Sequence, residues 1–456
     1  MLQITSPATG ELIQELIKDG ANSVEQKFAA AVAAQKQWSQ SPLENRMSVM
    51  RRFCDALTDH ANELASTLTS ETGKPINQSL GEIQATVPRI KYFIENCQKY
   101  YEGQVAFHDS NIEESLSWDP LGVIVNISAW NYPYFVGTNV FVPALLLGNA
   151  VMYKPSEYAS LTGVKIREHL LNSGLDEDLF PLCIGDGKVG SLLLEKPVDG
   201  VFFTGSVATG RAIHKSAGGK LLPMGFELGG KDPCYVTDAI DVAAVAAAVA
   251  DGAFYNCGQS CCAVERVYVH ESVYEDFVEA FIATVKDFVV GDPFAERTYI
   301  GPLTLPHQCQ MLQAQVEDAV NKGANLVLGG EPRSDLGKQF FAPTVLTEVN
   351  HSMTMMKEES FGPIIGIQKV SSDEEAVNLM NDTDYGLAAS VFSQDLSRGK
   401  QILKQIDAGT CYLNCCDRVS PHVPWSGRKN SGLGSTLGDL GFQAFLKPKA
   451  WHIRGA

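Results

Sequence analysis

Apolar residues recur at a helical interval over the first hundred positions. Met47, Met50, Phe53, Cys54 and Leu57 form one stripe, and Leu80, Ile83, Val87, Ile90, Ile94 and Cys97 form another. Each stripe predicts a helix with one face in the core. From Leu121 the period changes: short apolar runs at 123–129, 150–153, 179–184 and 201–204 alternate with helical stretches. That alternation predicts parallel strands joined by crossover helices. A second region of the same kind begins after Gly230, with an Ala/Val-rich helix at 242–254 and strands near 267–269 and 325–328. Two pieces stand apart. Residues 104–118 are polar and extended, and 445–453 form an isolated strand-like segment of a kind that often pairs between subunits. No internal repeat is visible.

The chain has 456 residues, about three times the ~150 that serve as a prior for one domain, so two or three domains are expected. With 36 Lys and Arg against 53 Asp and Glu, the net charge is −17. That balance repels phosphate backbones and anionic membrane surfaces, and no local basic patch offsets it, so no nucleic-acid or membrane partner is expected. The longest apolar run, 140–153, is interrupted by Pro143, Gly148 and Asn149 and falls short of the ~20 residues a membrane span needs. Neither a basic n-region nor an apolar h-region opens the chain, so a cytoplasmic address is expected. The 11 cysteines, an odd number in a large chain, fit reduced thiols better than a disulfide framework.

Several constellations could carry chemistry. Gly258-Gln259-Ser260-Cys261-Cys262 follows an apolar helix, and a thiolate there would be a good nucleophile for a carbonyl carbon. A Cys can equally be a small buried hydrophobe, and for Cys261 the two readings are even. Glu227, in Phe226-Glu227-Leu228-Gly229-Gly230-Lys231, is either a base with a raised pKa or an ordinary carboxylate beside a turn. Asn131, in Ala129-Trp130-Asn131-Tyr132-Pro133, either donates to an oxyanion or shapes the turn.

Two glycine motifs could hold phosphates. Gly185 to Gly190 matches G-x-G-x-x-G but has no clear ribose-binding acid at the usual spacing, and Gly205-Ser206 opens a helix after a strand. Lys154-Pro155-Ser156-Glu157 ends another strand and could reach a ribose. Cys257, Cys261 and Cys262, with Cys411, Cys415 and Cys416, suggest a metal pair, but Cys257 ends a helix rather than a knuckle, and no histidines pair at ligand spacing. No metal site is expected.

Taken together, the chain resembles the NAD(P)-dependent aldehyde dehydrogenase superfamily. Seven segments fall in the family's order: Trp130-Asn131, Lys154 to Glu157, Phe203 to Ser206, Glu227 to Lys231, Gly258 to Cys261, Glu359-Ser360-Phe361-Gly362-Pro363 and Ser431 to Gly434. The resemblance implies an α/β fold of two doubly wound-type domains plus a small β oligomerisation element. These are a Rossmann-like NAD-binding domain (1–102 and 119–228), a catalytic domain (229–436), and the oligomerisation element (103–118 and 437–456). It also implies a homodimer or homotetramer acting on a small-molecule aldehyde. Cys261 would be the nucleophile, Asn131 and the Cys261 backbone N–H the oxyanion donors, and Glu227 the base that activates water. Lys154 and Glu157 would hold the adenosine ribose, Gly205 and Ser206 the pyrophosphate, and Glu359 the nicotinamide ribose beside Phe361. Trp130, Gly187 and Leu228 would lie along the cofactor. A carboxylate at Glu157 accepts from a 2′-hydroxyl and repels a 2′-phosphate, which favours NAD, with NADP the alternative.

The sequence also departs from the family. Val207-Ala208 stand where Thr and then Glu are common, which puts adenine-side contacts in doubt. No Lys or Arg occupies Asn139 or Val140, so an anionic substrate loses one partner, and Tyr134, Phe135, Asn139 and Trp425 suggest a channel for an uncharged aldehyde. Gly434-Ser435-Thr436-Leu437-Gly438 replaces the frequent Gly-Arg-Glu-Leu-Gly, a change expected to touch packing rather than chemistry. Retention of Glu227 argues against a coenzyme A-acylating enzyme, and retention of Cys261, Glu227, Asn131 and Glu359 together argues against a catalytically idle binding protein. Cys262, Cys415 and Cys416 raise the question of a disulfide with Cys261.

Overall fold

The computed structural model describes residues 1–455. Its first elements depart from the helical reading, because Leu2–Thr5 and Leu12–Leu16 pair as an antiparallel hairpin. Leu2 and Ile4 are buried while Gln3 and Thr5 face out. That period of two extends over too few residues to register against the longer helical pattern behind it. Four helices follow, Ala21–Gln40, Leu43–Asp59, Ala61–Thr72 and Ile76–Asn96. Both sequence stripes turn inward, with Met50, Phe53, Cys54, Leu57, Ile83, Ile90, Ile94 and Cys97 all in the core.

The first sheet has the order Gly432–Leu433, Met224–Glu227, Gly200–Thr204, Val123–Ile127, Ala150–Lys154. Its four long strands are parallel, and the short Gly432–Leu433 strand is antiparallel. The chain starts at Val123–Ile127, steps to one side for Ala150–Lys154 and then crosses to the other, which creates a switch point where open α/β sheets bind ligands. The run at 179–184 does not become a full strand. Pro181 has no N–H to donate, and only a single bridge joins Leu182 to Tyr153.

The second sheet has seven strands, in the order Asn325–Leu328, Thr344–Thr347, Ile364–Val370, Val264–His270, Asp232–Val236, Ala388–Phe392, Thr410–Leu413. All are parallel except the Asn325–Leu328 edge. These central strands are buried on both faces, which explains why they read as continuous apolar runs.

Residues 104–118 supply two strands of a third sheet, Gln104–His108 and Ile112–Pro120, to which Leu446–Arg454 adds antiparallel. Before that last strand the Gly438–Gln443 helix packs Phe442, with Leu437 and Phe445 beside it, into the core beneath the first sheet. No helix is long and apolar enough to cross a membrane among the described residues.

Candidate active site

A cleft of about 880 Å³ opens at the carboxyl ends of the first sheet's strands, and all twelve site residues expected from the sequence line it. Each reaches it by a simple route. Trp130 and Asn131 follow Val123–Ile127, Lys154 closes Ala150–Lys154, Gly205 and Ser206 follow Gly200–Thr204, and Glu227 ends Met224–Glu227.

Cys261 sits beyond the Val242–Phe254 helix, after a turn in which Asn256, Cys257 and Gly258 all have positive φ (53°, 60° and 70°). A Cβ on Gly258 would lie 2.4 Å from the Gly362 carbonyl oxygen, so only glycine fits. This turn also fixes Asn131. The Asn131 Nδ2 donates to the Gln259 carbonyl at 3.1 Å, and Asn256 Nδ2 donates to the carbonyls of Asn131 and Gln259, both at 3.2 Å. One Asn131 N–H is therefore committed to orientation, and an amide nitrogen carries two. The Gln259 side chain accepts from the Thr304 N–H at 2.9 Å, tying the same turn to the segment around Thr304.

Cys262, next to Cys261 in sequence, is differently placed. Its Sγ donates to Asp417 Oδ1 at 2.9 Å, and its hydrogen bond with Cys261 together with burial pushes its pKa well up. It keeps its proton. The Cys416 thiol donates to the Ala248 carbonyl on the Val242–Phe254 helix, and all eleven cysteines are free thiols. Among the described residues no three His, Cys, Asp or Glu side chains converge as metal ligands.

Glu227 is 7% exposed. Burial raises its pKa above the ordinary carboxylate value, opposed by hydrogen bonds from Thr436 and Thr204 and by the charge of Arg89. The Thr204 hydroxyl lies at 3.5 Å and the Thr436 hydroxyl is in direct contact. The change at Thr436, expected to touch packing, thus touches the carboxylate itself. The Trp425–Thr436 bridge carries the hydroxyl there from more than two hundred residues away in sequence.

Glu359 accepts from the Gly230 N–H at 3.0 Å, and burial, reinforced by the charge of Glu265, pushes its pKa up to about 8. A Cβ on Gly229 would meet its carboxylate at 2.3 Å, so a larger residue there would displace Glu359. Phe361 adopts φ +48° and meets Trp130 edge-on, with ring centroids 5.5 Å apart. Three residues that sequence reasoning did not single out for this role hold the segment. Glu265 accepts from the Ser360 and Phe361 N–H groups at 2.8 and 2.9 Å and pairs with Lys231 at 2.5 Å, while Gln308 donates to the Ser360 carbonyl at 2.7 Å. Nothing local in the sequence signals this, since the partners lie dozens of residues apart.

The far end of the cleft suits a dinucleotide. Ser206 caps the Val207–Ala217 helix by accepting from the Thr209 N–H at 3.3 Å, so the helix N-terminus faces the cleft and can receive a pyrophosphate. Lys154 is buried, with its Nζ 3.9 Å from Glu157, whose carboxylate is partly exposed. Gly187 opens a second helix, capped by Asp186, at the same wall. Tyr134 is fully buried in the core rather than on a channel, because it sits about 100° around the helix from Phe135.

The chain matches the aldehyde dehydrogenase family over residues 1–451. The chain belongs to that family. It is similar to a betaine aldehyde dehydrogenase of Brucella melitensis biotype 2, with 35% identity over 99% of this chain and 93% of the relative. Among solved structures it superposes on an NAD-dependent aldehyde dehydrogenase from Sinorhizobium meliloti (TM-score 0.96, 32% identity, 100% of this chain and 92% of that one). It superposes also on the betaine aldehyde dehydrogenase of Staphylococcus aureus in complex with NAD+ (TM-score 0.95, 30% identity, 99% and 91%). The α/β architecture is that of these aldehyde dehydrogenases, and the chain is an oxidoreductase of the aldehyde dehydrogenase class.

Proposed function

We propose that the protein oxidises an aldehyde to its carboxylic acid with NAD, NADP being the alternative, through a covalent intermediate on Cys261. The carrying observation is that Cys261, Asn131 and Glu227 share a cleft with the helix N-terminus at Ser206 and with Lys154 and Glu157. The Cys261 thiolate attacks the aldehyde carbon, and the negative oxygen of the thiohemiacetal accepts from the second Asn131 N–H and the Cys261 backbone N–H. When bound, the nicotinamide cofactor accepts the hydride that the substrate carbon loses. The resulting thioester is attacked by water, whose proton passes to Glu227 as the Cys261 thiolate departs.

Lys154 and Glu157 hold the adenosine ribose, Gly205 and the Ser206 helix terminus the pyrophosphate, and Glu359 the nicotinamide ribose. Trp130, Gly187, Leu228 and Phe361 shape the walls. The Ser206 hydroxyl is committed to its cap, which leaves backbone N–H groups for the phosphates. Glu227, buried and held by two hydroxyls, supports hydrolysis over transfer to coenzyme A.

A homodimer or homotetramer in the cytoplasm completes the reading. Exposed Val105, Phe107, Trp451 and Ile453 on the third sheet support self-association. The test is NADH formation by the purified protein over an aldehyde panel, with Cys261→Ala alongside. Turnover by the wild type and none by the variant is expected, and failure to bind NAD would sink the reading.

A further inference from the structure

Buried ion pairs in this chain are closed: Lys74 faces Glu82, and Lys231 faces Glu265. Of the buried arginines without an acid, Arg266 bonds through every side-chain nitrogen to Lys231, Tyr268, Leu379 and Met380, whereas Arg89, on the Ile76–Asn96 helix, keeps one donor free. It is 5% exposed and has no carboxylate within ion-pair distance among the described residues. Its Nη1 donates to Asn139 Oδ1 at 2.8 Å and its Nη2 to the Val419 carbonyl at 2.9 Å, while Nε has no partner. The guanidinium lies over the Phe135 ring, 4.4 Å from its centroid. A guanidinium taken from water and given only neutral acceptors is strongly disfavoured. Arg46, also buried without an acid, lies against Tyr101 and Gly148, clear of the cleft.

The place of Arg89 gives it a use. Phe135 stacks on Tyr132, the neighbour of Asn131, and Val419 lies two residues beyond Asp417, which holds Cys262. The carboxylates of Glu227 and Glu82 lie near enough for their charges to act on Arg89, though neither pairs with it. None of Arg89, Phe135, Asn139 or Val419 lines the cofactor cleft. They pack as one buried wall beside the segments that carry Asn131 and Cys262. An aldehyde must approach Cys261 from a side the cofactor does not fill.

We propose that this wall is the substrate subsite and that Arg89 is its anion receptor, so that the preferred substrate is an aldehyde carrying a carboxylate, an ω-oxo acid, whose carboxylate is the counter-ion Arg89 lacks. Asn139, on the neighbouring Pro133–Leu146 helix, orients the guanidinium. This revises the uncharged channel expected from Tyr134, Phe135, Asn139 and Trp425. It also separates the chain from relatives named for betaine aldehyde, a quaternary ammonium that Arg89 repels. The inference rests on the aldehyde-oxidising reading above.

The experiment measures kcat and KM for three aldehydes of similar length, 4-oxobutanoate, butanal and betaine aldehyde, with wild type, Arg89→Met and Arg89→Lys. In the wild type, 4-oxobutanoate is expected to exceed butanal at least 10-fold in kcat/KM, with betaine aldehyde poorest. In Arg89→Met the ratio of 4-oxobutanoate to butanal falls at least 30-fold, mainly through KM, and Arg89→Lys recovers part of it. Equal loss on both aldehydes, or a wild-type preference for butanal or betaine aldehyde, overturns the subsite while leaving aldehyde oxidation standing. No NADH from any of the three overturns both. If Arg89→Met does not fold, the wild-type charge series decides alone.

Discussion

The Thr436 hydroxyl donates to the carboxylate of Glu227, joining a residue of the C-terminal segment to the last residue of the Met224–Glu227 strand. A neutral donor at this position does two things: it fixes the carboxylate's orientation and stabilises its ionised form. Glu227 is pulled in opposite directions, up by burial and down by Thr436, Arg89 and Thr204. In its proposed role as base it works only when ionised, so activity limited by hydrolysis is expected to fall as pH drops through its pKa.

Thr436→Val removes a contribution that lowers this pKa. The acid limb of the kcat profile is therefore expected to move to higher pH, while Thr436→Ser keeps the limb near its wild-type position. Superimposable profiles for Val and wild type would show that the hydroxyl does not act on the base.

Glu227→Gln separates the two halves of the reaction. One equivalent of NADH per active site should form quickly, followed by turnover slowed roughly 10²-fold or more, the usual scale for a lost general base. Rapid-mixing absorbance measures both phases. Cys261→Ala should show neither, and a burst in that variant would exclude Cys261 as the nucleophile.

Lys74 and Glu82 form an ion pair with both side chains 1% exposed. Glu82 also accepts from the Tyr134 and Phe135 N–H groups at 2.9 and 3.4 Å, capping the helix that follows Asn131, and Lys74 lies 3.8 Å from the Tyr132 ring centroid. Lys74→Met strands a buried carboxylate and should cost about 3–5 kcal/mol. A large fall in the thermal midpoint is the readout, and an unchanged midpoint would mean that water reaches the pair.

Glu157 is the residue proposed to set cofactor choice. Glu157→Gln removes the charge that repels a 2′-phosphate while keeping a hydrogen-bonding group. The NADP-to-NAD ratio of kcat/KM is expected to rise about 10-fold, a change of ~1.4 kcal/mol. A ratio that does not move would place the 2′-oxygen elsewhere.

Glu265 does not line the proposed cofactor cleft, yet it holds the Ser360 and Phe361 N–H groups behind it. Glu265→Ala should raise the KM for NAD more than that for aldehyde, since the segment it anchors carries Glu359 and Phe361. Steady-state kinetics with each substrate varied in turn tests this, and equal effects on both would point to general destabilisation.

Much of this was written in the chain itself. The change of period at Leu121 marked the onset of parallel strands, because alternating strands and helices leave different apolar spacings. The turn before Cys261 was legible in Gly258-Gln259, since a left-handed residue pressed against the Gly362 carbonyl must be glycine. Strand ends placed Asn131, Lys154 and Ser206 at one edge of a sheet, whereas the short Met224–Glu227 strand that brings Glu227 there left no apolar run to read. Other features depended on distances that sequence does not encode. The hairpin at Leu2–Thr5 was too short to outweigh the helical pattern behind it, and Pro181 dissolved a run that reads as a strand. Thr436 reached Glu227, Glu265 reached the Phe361 segment, and Arg89 was left without an acid, each because folding brings together side chains far apart in the chain. Local sequence determined which backbone shapes form; tertiary packing decided which charges are buried, and beside what.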